Sequence, residues 1–350
     1  FDPPRSIGGQ TPNGRWHFSW ARSFASSVAN QARYGAEVPR RPPATGIDSP
    51  HFPTGGRSGP SDHGLNSAAR PSRLHKNGCP EPTTASTVEC VAVQLTILGS
   101  GSGGNCAYLE TEQTRLLIDA GFSPRQIRLR LAQIGRVPEN LHGILVTHEH
   151  TDHIAGLAGL AGKLGLPIYC NRATAEEVQR YHGMTFDCRL FTTGATFEIG
   201  DLVVETFSLP HDAQDPVGFV LRTPAGRIAF ATDLGHFTRL VADRVRQARV
   251  LVLETNHDLR MLQECPHRPW SLKQRILSRH GHLSNEAAAE GFEQVVTEEL
   301  QHLYLAHLSR DCNRPELALA TLQERIDRVG AKHVQVVVTS QDQPCAPLIL

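Results

Sequence analysis

The chain has 350 residues with 35 basic and 35 acidic side chains, so its net charge singles out neither a nucleic-acid nor a membrane partner. No run of about 20 apolar residues occurs, which excludes a membrane-spanning helix, and no charged segment followed by an apolar one opens the chain, so no secretory leader is read and a cytoplasmic protein is expected. The eight cysteines are scattered without a Cys-x-x-Cys pair, which predicts free thiols rather than a disulfide framework.

Residues 1–90 carry 12 of the 23 prolines and 10 of the 30 glycines, with 10 basic and 6 acidic residues. Neither helical nor alternating periodicity persists there. Such a segment buries too little apolar surface to offset its ordering entropy, so it is expected to be disordered, or to reflect a mis-set start. A catalytic domain is expected over residues 91–341 and a short tail over 342–350.

The domain opens with a β-branched strand at 91–98, a glycine-rich loop at 99–105, and strands at 106–109 and 115–119. No helix follows the glycines, so this is neither a dinucleotide-binding nor a P-loop arrangement. The loop reads equally as a tight turn and as a floor of N–H groups for a phosphate. A helix follows at 123–134 with Ser123 as its N-cap, then a buried strand at 143–146, a helical apolar stretch at 154–164, a strand at 167–170 and a helix at 173–181. Strands follow at 196–199, 201–207, 217–221, 227–231 and 249–253, then helices at 270–280 and 285–296. The domain closes with a strand at 303–306, a helix at 315–329 and a strand at 334–338.

The most informative stretch is Thr147-His148-Glu149-His150-Thr151-Asp152-His153, which follows the apolar run 143–146. Three imidazoles and a carboxylate this close are costly to desolvate, and the imidazoles repel one another once protonated. A metal ion removes both difficulties, because it takes neutral imidazole and ionised carboxylate as ligands. Polar residues recur just past other apolar strands, at Asp119, His211, Asp233, Asn256 and His307. A site built from loops at one sheet edge explains that recurrence. The strands fall into two groups, 91–221 and 227–338, which fits two face-to-face mixed sheets with helices outside better than one doubly wound sheet.

The His148-x-His150-x-Asp152-His153 spacing, followed in order by His211, Asp233 and His307, resembles the signature of the metallo-β-lactamase-fold hydrolases over about residues 92–341. Finer features resemble their YycJ-like (WalJ/VicX) branch. These are the loop 99–105, His211-Asp212-Ala213 ahead of 216–219, Asn256-His257-Asp258, the stretch 281–285, and His307-Leu308-Ser309 with Asn313. Gly101 departs from the serine expected there.

The resemblance implies an α/β (α+β) chain folded as a four-layer αβ/βα sandwich of two mixed β-sheets flanked by helices. It implies two divalent ions, Zn²⁺ first with Mn²⁺ or Fe²⁺ admitted. His148, His150 and His211 would hold one ion and Asp152, His153 and His307 the other, with Asp233 bridging. Asp152 and His282 are the catalytic candidates, His282 as general acid or phosphate binder. Asp119 would accept a hydrogen bond from a ligand imidazole. Asn256, His257 and Asp258 would order the site edge or touch substrate, and Ser284 and Asn285 would donate to a phosphate or cap the next helix. The implied activity is a metal-dependent phosphodiesterase, a 5′→3′ DNA exonuclease linked to DNA repair and cell-wall signalling. Asp at 233, where β-lactam-hydrolysing members carry Cys or Ser, points away from antibiotic hydrolysis. The alternatives are a small-molecule thioesterase or lactonase of the same fold, or a metal-binding scaffold without turnover. DNA is the expected partner, no membrane is, and a homodimer is admitted.

Overall fold

The computed structural model describes residues 92–350; the segment 1–90, expected to be disordered, lies outside the described residues. Strands β1 (Gln94–Gly99), β2 (Cys106–Glu110), β3 (Arg115–Ile118), β4 (Gly143–Leu145), β5 (Ile168–Asn171) and β6 (Cys188–Phe191) form one sheet, with β14 (Leu348–Ile349) on its edge in the order β14-β1-β2-β3-β4-β5-β6. Strands β7 (Thr196–Ile199), β8 (Leu202–Ser208), β9 (Val217–Thr223), β10 (Gly226–Ala231), β11 (Val250–Glu254), β12 (His302–Ala306) and β13 (Gln335–Val338) form the other, in the order β13-β12-β11-β10-β9-β8-β7. Each sheet is antiparallel at one end and parallel at the other: β3 to β6 and β10 to β13 run parallel. The parallel strands β10 to β12 are apolar almost throughout, as strands covered on both faces must be.

Three apolar layers follow from this arrangement. The middle one joins the sheets through Leu95, Leu109, Leu116, Val204, Phe219 and Val252. One outer layer packs α1 (Pro124–Gln133), α2 (Thr151–Ile154), α3 (Ala161–Leu164) and α4 (Arg172–His182) against the first sheet. The other packs α5 (Arg239–Val245), α8 (Asn285–Val295) and α9 (Pro315–Val329) against the second. Two short helices, α6 (Leu259–Glu264) and α7 (Trp270–Ile276), stand between β11 and α8. This is the four-layer sandwich expected from the sequence. No helix among the described residues is long and apolar enough to cross a membrane, and the six cysteines within them are free.

Several details differ from the sequence reading. The sheets divide before β7 rather than after residue 221, because the Gly200 and Thr223–Gly226 turns join β7 to β10 in one antiparallel meander. Strand β6 was not expected; its central Arg189 and Leu190 are both exposed, so no alternation marks it. The apolar stretch at 154–164 is broken into short turns, and the helix expected at 270–280 ends at Ile276. The residues set apart as a tail are part of the sheet. Leu348 pairs with Leu95, and the N–H groups of Cys345 and Leu350 donate to Ile97 and Val93.

The tightest backbone approach lies under the His-rich stretch. Ala120 N–H donates to His153 O at 2.8 Å, and Asn105 N–H donates to Asp152 O at 2.8 Å. A Cβ on Gly121 would fall 1.6 Å from Asp152 O and 2.7 Å from Asn105 N, so the loop after β3 can lie there only without a side chain. Gly121→Ala is expected to lower stability by about 2–3 kcal/mol or more, as overpacking against unyielding backbone does. Thermal unfolding checks this; a wild-type Tm would show that the motif backbone is not held as described.

Candidate metal centre

Chemistry-bearing residues gather where β3, β4, β8, β10, β11 and β12 end. Asp119, Asp233 and His307 each lie one or two residues past a strand, and they are the non-glycine residues with positive φ among those described, at 59°, 61° and 56°. Left-handed backbone costs a side-chain-bearing residue on the order of 1–3 kcal/mol and persists only where surroundings enforce it. Here it falls on three residues whose own side chains belong to the cluster.

Seven side chains expected from the sequence to hold metal meet there. One ligand atom from each of His148, His150 and His211 lies within 4.8 Å of the other two, and the same holds for Asp152, His153 and His307. Asp233 stands between the sets, grouped with His148 of one and His153 of the other. Its Oδ2 is 3.3 Å from His153 Nε2 and its Oδ1 is 3.9 Å from His211 Nε2. All but His150 and Asp152 are buried.

The far side of each ring sets its tautomer. His153 Nδ1–H donates to Asp119 Oδ2 at 2.7 Å, leaving Nε2 toward Asp152 and Asp233. Asp119 is held in turn by the Thr147 N–H at 2.8 Å and by the Thr147 hydroxyl. His211 Nδ1–H donates to Gly281 O at 3.0 Å, and His307 Nδ1–H donates to Glu254 Oε1 at 2.8 Å. Such outer partners fix ring orientation and make the ligating nitrogen more basic.

Glu254 was not singled out from the sequence. It is fully buried at the end of β11, and Oε1 also accepts His282 Nδ1–H at 2.7 Å. Its Oε2 accepts the Leu234 and Leu283 N–H groups. One carboxylate thus orients both His307 and His282. The available signal was its place: Glu254 ends a wholly apolar strand, as Asp119 follows one.

The donors suit a cation and little else. His148 Nε2 and Asp233 Oδ2 are buried without a hydrogen-bond partner, although orphaned buried polar atoms are rare. Burial, and then His153, hold His148 well below its usual pKa, and burial lowers His211 as well. Asp233 lies well below the carboxylate range: burial opposes this, but His307 and His153 outweigh it. His148 and His211 are thus held neutral beside an ionised Asp233, as divalent ions require. At His153 and His307, by contrast, Asp233 outweighs burial and pushes both well above the usual imidazole range, so a cation would take the place of their protons. The set holds nitrogen and oxygen but no sulfur, which fits Zn²⁺, Mn²⁺ or Fe²⁺.

The remaining expected residues divide. His282 and Asn256 line the pocket over the donors, and Asn256 Nδ2–H donates to His307 O at 2.9 Å. Ser284 and Asn285 do not line it. Ser284 Oγ caps α8 by accepting Ala287 N–H, the cap alternative expected for it, and the buried Asn285 amide pairs with that of Asn313. Asp258 caps α6 by accepting Met261 N–H at 2.7 Å. His257 is 1 % exposed, with neither ring nitrogen bonded; burial above all lowers its pKa to about 4. It lies beneath the site edge rather than in the pocket. The loop 99–105 serves chiefly as a brace. Asn105 Nδ2 lies 3.1 Å from His153 Nε2, Ser100 Oγ accepts His307 N–H at 2.9 Å, and only Ser102 of the loop reaches the pocket.

The pocket has a volume of about 220 Å³. Arg268, Leu272, Arg275 and Ile276, on α7 and the loop before it, form part of the wall that the metal donors leave free.

Comparison with known proteins bears on the fold and the family. The beta-lactamase superfamily domain model matches residues 114–307. The chain is 38 % identical over 242 residues to exodeoxyribonuclease YycJ of Bacillus anthracis, covering 69 % of this chain and 91 % of that protein. It is 39 % identical over 240 residues to exodeoxyribonuclease WalJ of Streptococcus pneumoniae serotype 2, covering 67 % and 89 %. Among solved structures, Zn²⁺-bound PqqB from Methylobacterium extorquens superposes with a TM-score of 0.55 at 18 % identity, over 73 % of this chain and all of that one. The metallo-β-lactamase-fold protein YhfI from Bacillus subtilis gives 0.54 at 16 %, over 74 % and all of that chain. At those identities the structures show the fold alone. The sequence matches go further: the chain belongs to the metallo-β-lactamase-fold family of metal-dependent hydrolases, in the group that includes exodeoxyribonucleases YycJ and WalJ.

Proposed function

We propose that this chain is a DNA exonuclease, digesting 5′→3′, whose catalytic centre takes two divalent ions, Zn²⁺ first with Mn²⁺ or Fe²⁺ as alternatives. The observation that carries this reading is the pair of three-donor sets with Asp233 between them. His148, His150 and His211 would hold one ion and Asp152, His153 and His307 the other, with Asp233 placed to serve both. When bound, the ions supply a hydroxide at neutral pH and draw charge from the phosphodiester oxygens. DNA as substrate is supported by identity of 38–39 % to YycJ and WalJ over most of their length.

The side chains do the rest. Asp119 and Glu254 keep His153 and His307 in the tautomer that presents Nε2. Asp152, the less buried of the two carboxylate ligands, faces the pocket and would act on the attacked phosphate only through the ion it helps to hold. His282 is held by Glu254 through Nδ1, and that contact raises its pKa against the opposing effect of burial. A protonated imidazole at the pocket wall is placed to deliver a proton from Nε2 to the departing oxygen.

Three outcomes test this. With Mn²⁺ or Zn²⁺, the protein is expected to release nucleotides from labelled single-stranded and duplex DNA, starting at the 5′ end. EDTA should abolish release, and Asp152→Ala should reduce it by about two orders of magnitude or more. Thioester or lactone turnover with no nucleotide release would overturn the nuclease reading. His282→Ala is expected to slow DNA cleavage about 10²–10⁴-fold, yet to slow bis(p-nitrophenyl) phosphate hydrolysis far less, because p-nitrophenolate leaves without a proton. Equal losses on both substrates would remove His282 from the acid role. Glu254→Gln keeps the shape but not the charge, and should cost about 10–100-fold in kcat. A wild-type kcat would show that neither His282 nor His307 depends on it.

A further inference from the structure

We propose that Arg268 recognises substrate by binding a non-bridging oxygen of a phosphate next to the one being cleaved; this rests on the nuclease reading above. Arg268 belongs to the loop between α6 and α7 and forms part of the pocket wall that carries no metal donor. The two arginines of that wall are not equivalent. Arg275 is ion-paired with Asp212, next to the metal donor His211, so its charge is matched within the protein. Arg268 is under-satisfied. Its side chain is 19 % exposed, and its Nε–H is buried without an acceptor. Its Nη2 makes two contacts near the long limit, 3.3 Å to Ser309 Oγ and 3.4 Å to Asp311 Oδ2. Asp311 is itself 58 % exposed at the rim, where water screens the pair.

A guanidinium offers five donors in a planar fork suited to phosphate oxygens, and a buried donor left without a partner is unfavourable. Every nucleotide of a DNA strand brings a further phosphate into reach of such a group. The scissile phosphate belongs to the metal donors, so Arg268, set on the other part of the wall, takes the next one. Ser309 keeps the fork oriented through Nη2, while the phosphate displaces Asp311 and accepts from the guanidinium's Nη edge that faces the pocket. The contact reads charge and backbone position, not base identity.

The competing role is a strut, in which Arg268 merely ties its loop to residues 309–311. Salt dependence separates the two, because a lost phosphate contact lowers the slope of log binding constant against log salt by about 0.7 on single strands, and a lost strut does not. The experiment measures binding of a fluorescent single-stranded oligonucleotide over a salt series with Ca²⁺ present, together with steady-state cleavage in Mn²⁺. Arg268→Met should weaken Kd and raise KM about tenfold or more, with that smaller slope and with kcat little changed. Arg268→Lys should recover the slope but only part of the affinity, having lost the fork. Asp311→Asn, which removes the competing carboxylate, should lower KM.

An unchanged slope and KM in Arg268→Met, or a loss confined to kcat and thermal stability, would overturn the assignment while leaving the nuclease reading intact. Should that variant fail to fold, an Asp311→Asn protein with wild-type KM would overturn it equally. A wild-type protein that releases no nucleotide would overturn both readings.

Discussion

Burial of four imidazoles and one carboxylate at one sheet edge, with His150 and Asp152 half-buried beside them, is the constraint on which the rest of this structure depends. Without a cation the cluster is a desolvated set of groups that cannot all satisfy one another, and His148 Nε2 and Asp233 Oδ2 remain without hydrogen bonds. The surrounding architecture keeps that cluster together. Three strands end in left-handed residues, Asp119, Asp233 and His307, each a backbone cost accepted where a side chain must be aimed. Gly121 lets the loop after β3 lie directly on the backbone of Asp152. Asn105 and Ser100 tie the glycine-rich loop to His153 and His307. These features lie far apart in sequence and act on a few side chains.

Glu254 joins two parts of the site that would otherwise be independent. Its Oε1 accepts from both His307 and His282, so a proposed metal ligand and the proposed proton donor share one buried anion. On the proposed reading, loss of charge at that point would disturb metal binding and proton delivery together. Across the pocket, the segment from Arg268 to Ile276 provides a wall that is half basic and half apolar. The donors and the wall face one cavity, so chemistry and substrate grip are separable by mutation.

Most of the fold was legible because the parallel strands are apolar runs bounded by turn residues, and buried strands need that composition. The His148–His153 cluster was legible because its spacing is local. Asp119, Asp233 and His307 were legible by their places after strands. Glu254 was not, because a lone acid at the end of an apolar run has no local mark to distinguish it from a solvated one; only the folded chain brings His282 and His307 to it. Ser284 and Asn285 were read as phosphate donors or caps with equal ease, since a helix N-terminus needs the same residue types for both. The sheet partition was misplaced because β6 is short and its central residues are exposed, leaving no period to follow. The pairing of the last residues with β1 depends on an open strand edge, which only the assembled sheet reveals.

The central claim is that the seven donors form one two-ion centre bridged by Asp233. The most direct measurement is the metal content of the purified chain after reconstitution, read by inductively coupled plasma mass spectrometry. The account predicts about two equivalents of divalent ion per chain, with the ions about 3.5–4 Å apart in anomalous diffraction maps. Fewer than one equivalent per chain, or a single site with Asp233 uncoordinated, would contradict it.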